Sequence, residues 1–327
     1  MKTGKASEAV LDRSVLRPLH KVQAAGAQAA FGEDCAFWQN QCCASVSGTV
    51  GGTFDRTPEM MLENAVCGLA VSGARAEYAM ISVVFPAEWD EKELKRLMNG
   101  LSQAAGRLEI SIAGGHTEIS DAVIRPVLTL TVSGSRMTEK SVFDGRTAAL
   151  RPGQDLVMAG YAGLAGTVVL ALAGEERLKK RYPFTLMEAA RAFDVCDAIR
   201  EAARACIHFG VSAMHDVSQG GVFGALWEMA ECAGVGLEVG LKKIPIRQET
   251  IEITEFFDCN PYQLYGQGAL LAGTDRGDAL VTELQNRGIR AAVIGRTTSE
   301  NGRLIRNGEE VRYLDRPAQD ELWRLSR

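Results

Sequence analysis

The chain has 327 residues, of which 46% are hydrophobic, and a formal net charge of −5, so it can bury a substantial core in about two domains. No long basic cluster is present, so the sequence lacks the electrostatic signature of a nucleic-acid-binding protein. The sequence has no run of eighteen apolar residues and no signal-peptide pattern, so we expect a cytoplasmic protein without a membrane span.

The first half predicts a leading helix followed by alternating strands and helices. Apolar residues lie on one helical face over 7–20, and Pro18 marks the end of that helix. Thr57 is a helix N-cap with Pro58 at the first helical position, and Asp90 caps a second amphipathic helix. We predict strands at 42–50, 77–86, 109–115 and 124–135, and helices at 57–74 and 90–108.

The second half also mixes strands with helices, and the turn "RPGQ" introduces it. We place a boundary near residues 145–152, which gives domains at 1–147 and 148–327. Gly210 ends a long helix predicted over 185–209, and Gly234 ends a helix that follows Ser218. The other predicted elements are a helix at 162–172 and strands at 155–160, 211–216, 235–241, 268–274 and 291–298.

Eight cysteines are distributed along the chain, and their spacing fits no zinc site. Several lie within apolar stretches. In a reducing compartment we therefore expect most of them to be small buried hydrophobic side chains.

The segment "SIAGGHTEIS" places two glycines before three polar residues. Gly114 and Gly115 would let backbone N–H groups approach an anion, and Thr117 adds a hydroxyl. His116 could donate to a phosphate oxygen, and Glu118 could bind a divalent cation. The alternative is a strand end with a tight turn and a surface histidine, because short glycine patterns often occur by chance.

The segment "MHDVSQGGVFGALWEMAE" has a similar pattern. His215 and Asp216 follow an apolar strand, and Ser218 precedes Gly220 and Gly221 at the start of a helix. A helix N-terminus preceded by glycines can bind an anion through its free N–H groups and its dipole. The alternative is an ordinary strand-to-helix connection capped by Ser218.

Five motifs occur in order along the chain: "GED", "LAVSGARAEY", "AGGHTE", "HDVSQGGVFGALWEMAECAGVGLEV" and "IPIRQETIEITEFFDCNPYQL". Together they resemble the aminoimidazole ribonucleotide (AIR) synthetase superfamily, in particular the branch related to the hydrogenase maturation factor HypE. The resemblance implies a two-domain α/β (α+β) fold. It also implies a homodimer whose N-terminal domains share a barrel, and a C-terminal sheet packed with helices.

The resemblance further implies a site for ATP and Mg²⁺ between the domains. It assigns metal binding to Asp34 and Glu118, and catalysis to His116 and Asp216. A maturation protein is an expected partner besides a second copy of the chain. Nucleotide binding is assigned to Gly114, Gly115, Thr117, His215, Ser218, Gly220 and Gly221.

The sequence departs from the family pattern at positions that matter for magnesium. Ser47 stands where the family commonly has an aspartate, and Cys67-Gly68 replaces an Asn-Asp pair. Loss of two carboxylates should weaken metal binding. HypE carries a C-terminal cysteine that is carbamoylated and dehydrated to a thiocyanate. In this sequence no cysteine follows Cys259, so we do not expect that modification.

Two functions therefore remain open. The first is an ATP-dependent enzyme that acts on a small carbonyl- or amide-containing substrate. The second is a non-catalytic homologue that keeps the fold and the dimer as a binding or assembly partner. The missing carboxylates favour the second, and the retained "GGHTE" and "HDVSQGG" segments favour the first. Thiamine-monophosphate kinase is disfavoured, since its acidic motifs are also absent.

Overall fold

The computed structural model describes residues 5–20, 31–38, 40–137, 143, 145–317 and 319–325. Within these residues the N-terminal half forms one five-stranded sheet with two long helices against it. Its strands are β1 (Ala36–Trp38), β2 (Gln41–Thr49), β3 (Ala74–Pro86), β4 (Ser111–Ser120) and β5 (Val127–Arg136). Its helices are α1 (Glu8–Leu11), α2 (Arg17–His20), α3 (Pro58–Val71) and α4 (Glu91–Arg107), with one π-helical turn, Asp12–Leu16, joining α1 to α2.

The N-terminal sheet has the order β1-β2-β5-β3-β4, and β3 and β4 are its only parallel pair. Alternate residues of β2 and β5 are buried, as expected for a sheet with one covered face. Helix α3 covers that face. Thr57 caps it by accepting a hydrogen bond from the N–H of Met60 at 3.2 Å.

The C-terminal half forms a seven-stranded sheet of order β12-β11-β8-β10-β6-β9-β7, with β11 and β8 parallel. Its strands are β6 (Asp155–Gly160), β7 (Ala213–Val217), β8 (Gly236–Gly240), β9 (Ala269–Thr274), β10 (Ala291–Thr298), β11 (Arg303–Asn307) and β12 (Glu310–Tyr313). Its helices are α5 (Leu164–Ala173), α6 (Glu175–Leu178), α7 (Phe184–Arg191), α8 (Asp197–Phe209), α9 (Gly221–Ala233), α10 (Gln248–Phe256), α11 (Gly277–Asn286) and α12 (Glu321–Leu325).

Helix α3 joins the two halves. It contacts β2, β3 and β5 on one side, and α8 and β7 on the other. The largest hydrophobic core accordingly includes side chains from both halves, for example Leu69, Leu130 and Leu270. The chain can therefore bring residues from both sheets to one place near α3.

The predicted strands and helices of the first half are confirmed, with shifts of a few residues at their ends. Strands β1, β11 and β12 were not predicted. Five of the eight cysteines are buried, in agreement with the expectation for most of them. In the described part of the chain, no helix is long and apolar enough to cross a membrane.

The single helix predicted over 185–209 is wrong, because α7 ends at Arg191 and α8 begins at Asp197. The Asp194 carboxylate accepts hydrogen bonds from the N–H groups of Cys196 and Asp197 at 2.9 Å, and of Ala198 at 2.8 Å. These N–H groups have no partner inside a helix that begins there, so a carboxylate before them starts a new helix.

Candidate functional site

The candidate site lies where β7 meets the loop that contains Asp34. All five residues of β7 are buried, since the strand is covered by α3 on one side and α9 on the other. His215 and Asp216 are therefore polar residues inside the protein, only 2% and 7% exposed. Buried polar groups require partners, and the neighbouring elements supply them.

His215 bridges two carboxylates. Its Nδ1 lies 2.8 Å from Asp34 Oδ2, and its Nε2 lies 3.3 Å from Glu228 Oε2 on α9. Burial alone would lower the pKa of His215, but the two carboxylates raise that pKa well above its ordinary value. The imidazole is thus held as a cation between two anions.

Glu228 also pairs with the ammonium group of Lys5. Burial raises the pKa of Glu228, yet the positive charges of Lys5 and His215 together lower it to about 2. A row of alternating charges, here called the charged network, runs through Lys5, Glu228, His215 and Asp34. It connects the N-terminal segment to α9 and β7.

Asp216 lies next to this charged network and has different hydrogen-bond partners. Its backbone N–H donates to Asp34 Oδ2 at 3.2 Å, and its carboxylate accepts from Asn64 Nδ2 on α3 at 3.1 Å. The Ser218 hydroxyl lies 3.5 Å from the Asp216 carboxylate. Burial and the nearby charge of Asp34 raise the pKa of Asp216 well above its ordinary value.

Asp34, His215 and Asp216 each offer one ligand atom, and these atoms all lie within 4.8 Å of one another. The two aspartates supply hard oxygen donors of the kind that Mg²⁺ and Mn²⁺ prefer. Both nitrogens of His215 already contact carboxylates. The donor set therefore fits a divalent cation held by the two aspartates, with His215 orienting Asp34.

The start of α9 differs from the free anion site that the sequence predicts. Gly220 and Gly221 have φ angles of +87° and +62°, so both positions require glycine. The Gly220 N–H donates to the Asp320 carboxylate at 2.7 Å, and the Gly221 N–H donates to the Ser218 carbonyl at 3.1 Å. The expectation of free N–H groups is therefore wrong for these two residues.

Asp320 belongs to the C-terminal segment, which folds back onto the start of α9. Its side chain is buried, and burial raises its pKa to about 6 against the opposing effect of hydrogen bonds from Gly220 and Leu322. A protein carboxylate thus occupies the position where the sequence suggested a phosphate.

The strand predicted at 109–115 continues to Ser120, so residues 116–120 do not form the expected loop. It pairs with β3 along its whole length and is exposed from Ser111 to Ile119. Gly115 is needed for that pairing, because a Cβ atom there would lie 1.7 Å from the Ile81 carbonyl oxygen. Gly115 therefore has a structural explanation that does not involve phosphate.

The polar residues of β4 are not part of the buried cluster. His116 Nε2 lies 3.7 Å from Glu118 Oε2, and both side chains are largely exposed. Thr117 lies on the same exposed strand. The roles assigned to Gly114, Gly115, His116, Thr117 and Glu118 stay predictions.

Sequence reasoning missed Lys5, Asn64 and Glu228. Glu228 had a usable signal: it is a carboxylate within the largely apolar helix sequence "GVFGALWEMA", thirteen residues after His215. Charged residues are almost never fully buried unless they are paired, so its position indicated a buried partner. Lys5 and Asn64 had no comparable signal.

Two family models match the chain. The model of the N-terminal domain of AIR synthase related proteins matches residues 32–136, and the model of the C-terminal domain matches residues 151–306. The chain belongs to the AIR synthase related proteins. The resemblance seen in the sequence motifs is confirmed, as is the two-domain α/β fold that it implied.

Several relatives of this AIR synthase related protein are hydrogenase maturation proteins. The carbamoyl dehydratase HypE of Rhodobacter capsulatus is 26% identical over 253 residues, 74% of this chain and 71% of the relative. A putative hydrogenase expression/formation protein of Methanocaldococcus jannaschii is 23% identical over 280 residues, 84% and 79% of the two chains.

Solved structures show the same fold. A HypE in complex with ATP superposes with a TM-score of 0.70 at 19% identity, covering 98% of this chain and 97% of the other. A HypE–HypF complex gives 0.73 at 19% identity, covering 95% and 98%. The chain thus shares the fold of the solved HypE structures.

Proposed function

We propose that this HypE-like protein binds ATP with a divalent cation at the cluster of Asp34, His215 and Asp216. The observation that carries the proposal is the convergence of two aspartates, the partly buried Asp34 and the buried Asp216, from the two halves of the chain. A relative with the same fold has been solved with ATP. The proposed domains, 1–147 and 148–327, each contribute one aspartate.

The aspartates would hold the cation, which supplies positive charge to the phosphates when it is bound. The residues of the chain do the positioning. His215 fixes the Asp34 carboxylate, and Asn64 fixes the Asp216 carboxylate. Ser218 provides a hydroxyl at the edge of the cluster.

A non-catalytic role in assembly is the second candidate. Ser47 is exposed on β2 and its hydroxyl lies 3.0 Å from that of Thr129, while Gly68 adds no ligand. The cation site therefore has two aspartates and lacks the further carboxylates expected from the family. A relative has been solved with HypF, so a maturation protein is the kind of partner that we propose for this role.

The cation site predicts measurable Mn²⁺ binding. Electron paramagnetic resonance of free Mn²⁺ at pH 8, where Asp216 is more readily ionised than at acidic pH, should show one site per chain. Asp216→Asn should weaken that binding at least tenfold, which corresponds to about 1.4 kcal/mol, because one of two charged ligands is lost.

Glu310→Gln is the matched control, since Glu310 is exposed on β12 and is not part of the cluster. It should bind Mn²⁺ as the wild type does. Equal binding by wild type and Asp216→Asn would show that the ion binds elsewhere.

We also propose a homodimer formed through the N-terminal sheet. The face of the sheet opposite α3 exposes Tyr78 and Met80 on β3, which are 52% and 55% exposed. Large apolar side chains grouped on an exposed sheet face are typical of an interaction surface. A second copy would cover this face and close the shared barrel.

Sedimentation at micromolar concentration should give roughly twice 35.2 kDa. Met80→Lys should shift the protein to a monomer, because a charge buried in an apolar interface is strongly unfavourable. Lys95→Met, on the exposed face of α4, is the control and should stay dimeric. A monomeric wild type would contradict the proposed dimer.

A further inference from the structure

Arg56 is a buried cation with one nitrogen that has no hydrogen-bond partner among the described residues. It lies in the loop between β2 and α3 and is only 6% exposed. Its Nη2 donates to the Ser47 carbonyl at 3.2 Å, and its guanidinium lies 5.4 Å from the centre of the Tyr265 ring. Its Nη1 is buried and has no hydrogen-bond partner.

The nearest carboxylate in the sequence does not neutralise Arg56. Asp55 pairs with Arg125 at 3.2 Å and accepts from the Gly52 N–H at 2.9 Å. Burying an unpaired charge is costly, and buried charges in proteins are normally paired or bind a ligand. The unpaired Nη1 group therefore indicates a place for an anion that the protein itself does not supply.

Arg56 lines a pocket that the C-terminal segment closes. Thr49 contributes a second buried group without a partner, its Oγ1, to the same pocket. Asp320 and Trp323 line it from the opposite side. The Asp320 carboxylate accepts from Gly220 at 2.7 Å and from the Leu322 N–H at 3.0 Å, so the protein already holds one anionic group there.

We propose that Arg56 and Thr49 bind an anionic oxygen group, a carboxylate or a phosphate, of a small-molecule substrate, and that Asp320 occupies this pocket until the ligand enters. A guanidinium presents two parallel N–H groups that match the geometry of either anion. Segment 319–325 is then a built-in competitor, and Asp320 leaves when the ligand binds. This inference does not rest on nucleotide binding.

The test uses the full chain without nucleotide or divalent metal. Trp323 lies in the pocket, and its fluorescence reports ligand entry, with Trp323→Phe as the blank. Inorganic phosphate and acetate are titrated separately at constant ionic strength, so that screening does not change. Asp320→Ala should bind one of the two anions at least tenfold more tightly than the wild type, and the stronger probe identifies the chemical class.

In the Asp320→Ala background, Arg56→Gln should abolish the saturable signal, and Arg56→Lys should weaken it at least fivefold because the two-pronged contact is lost. Arg96→Gln is the control, because Arg96 is exposed on α4, and it should change nothing. The proposal is overturned if Asp320→Ala binds neither anion more tightly, or if a folded Arg56→Lys binds as well as arginine. Loss of the phosphate signal in saturating ATP would assign the pocket to the nucleotide and also overturn it.

Discussion

His215→Ala should lower the free energy of unfolding by about 3–5 kcal/mol, the range for breaking a buried ion pair. The imidazole is 3% exposed and separates Asp34 from Glu228, each with a side chain that is 9% exposed. Removing it takes the neighbouring imidazole from Asp34 and one of two cations from Glu228. Urea unfolding followed by circular dichroism measures the loss.

The effect should depend on pH in a defined direction. Because the pKa of His215 is raised in the folded protein above its ordinary 6.5, its stabilisation is fully present below that value. The stabilisation is lost as pH rises through the folded pKa. The difference between wild type and His215→Ala should therefore be largest in mildly acidic buffer and decrease in strongly alkaline buffer.

His208→Ala is the matched control, because His208 is exposed near the end of α8 and its Nδ1 lies 2.8 Å from the Arg204 carbonyl oxygen, one turn earlier in the same helix. Its loss should change stability by no more than about 0.5 kcal/mol. If His215→Ala lowers the free energy of unfolding no more than His208→Ala does, the charged network does not stabilise the fold.

Restoring a carboxylate at position 68 should strengthen magnesium-dependent ATP binding about tenfold or more, about 1.4 kcal/mol. Gly68 is a helical residue of α3 without a positive φ. A Cβ atom there would lie 3.9 Å from Asp34 Cβ and 3.7 Å from Ala44 Cβ, which are ordinary contacts. Gly68→Asp thus adds a carboxylate beside Asp34 without backbone strain.

Ser47→Asp should be tested alone and together with Gly68→Asp. Gly68→Asn is the matched control, because it has nearly the same shape and no charge. Calorimetry with ATP and Mg²⁺ should show the gain with aspartate and not with asparagine. If the folded double variant binds no better than wild type, the assignment of the missing ligands is wrong.

The sequence was sufficient for the fold class and for most element boundaries of the first half. Thr57-Pro58, Gly210 and Gly234 indicated element ends from local rules of capping and backbone conformation. The strand before His215 was recognisable from its apolar residues. Asp34 could be linked to His215 and Asp216 only through the family resemblance, since 181 residues separate Asp34 from His215.

The features that could not be predicted depend on contacts between residues that are far apart in the sequence. Asp320 lies 100 residues from Gly220, and nothing in the local pattern indicates that it occupies the start of α9. The glycines of "SIAGGHTEIS" fit a phosphate loop locally, but the close approach of Gly115 to β3 is a property of the sheet. Local glycine patterns do not distinguish these two uses.

Isothermal titration of the wild-type chain with ATP, with and without Mg²⁺, tests the central claim most directly. Two aspartates without the further carboxylates of the family should give saturable but weak binding, with a Kd of about 0.1–1 mM, about 4–5.5 kcal/mol. Asp216→Asn should remove the part that depends on Mg²⁺. Low-micromolar binding would contradict the incomplete cation site, and no binding at 10 mM ATP would contradict the nucleotide site itself.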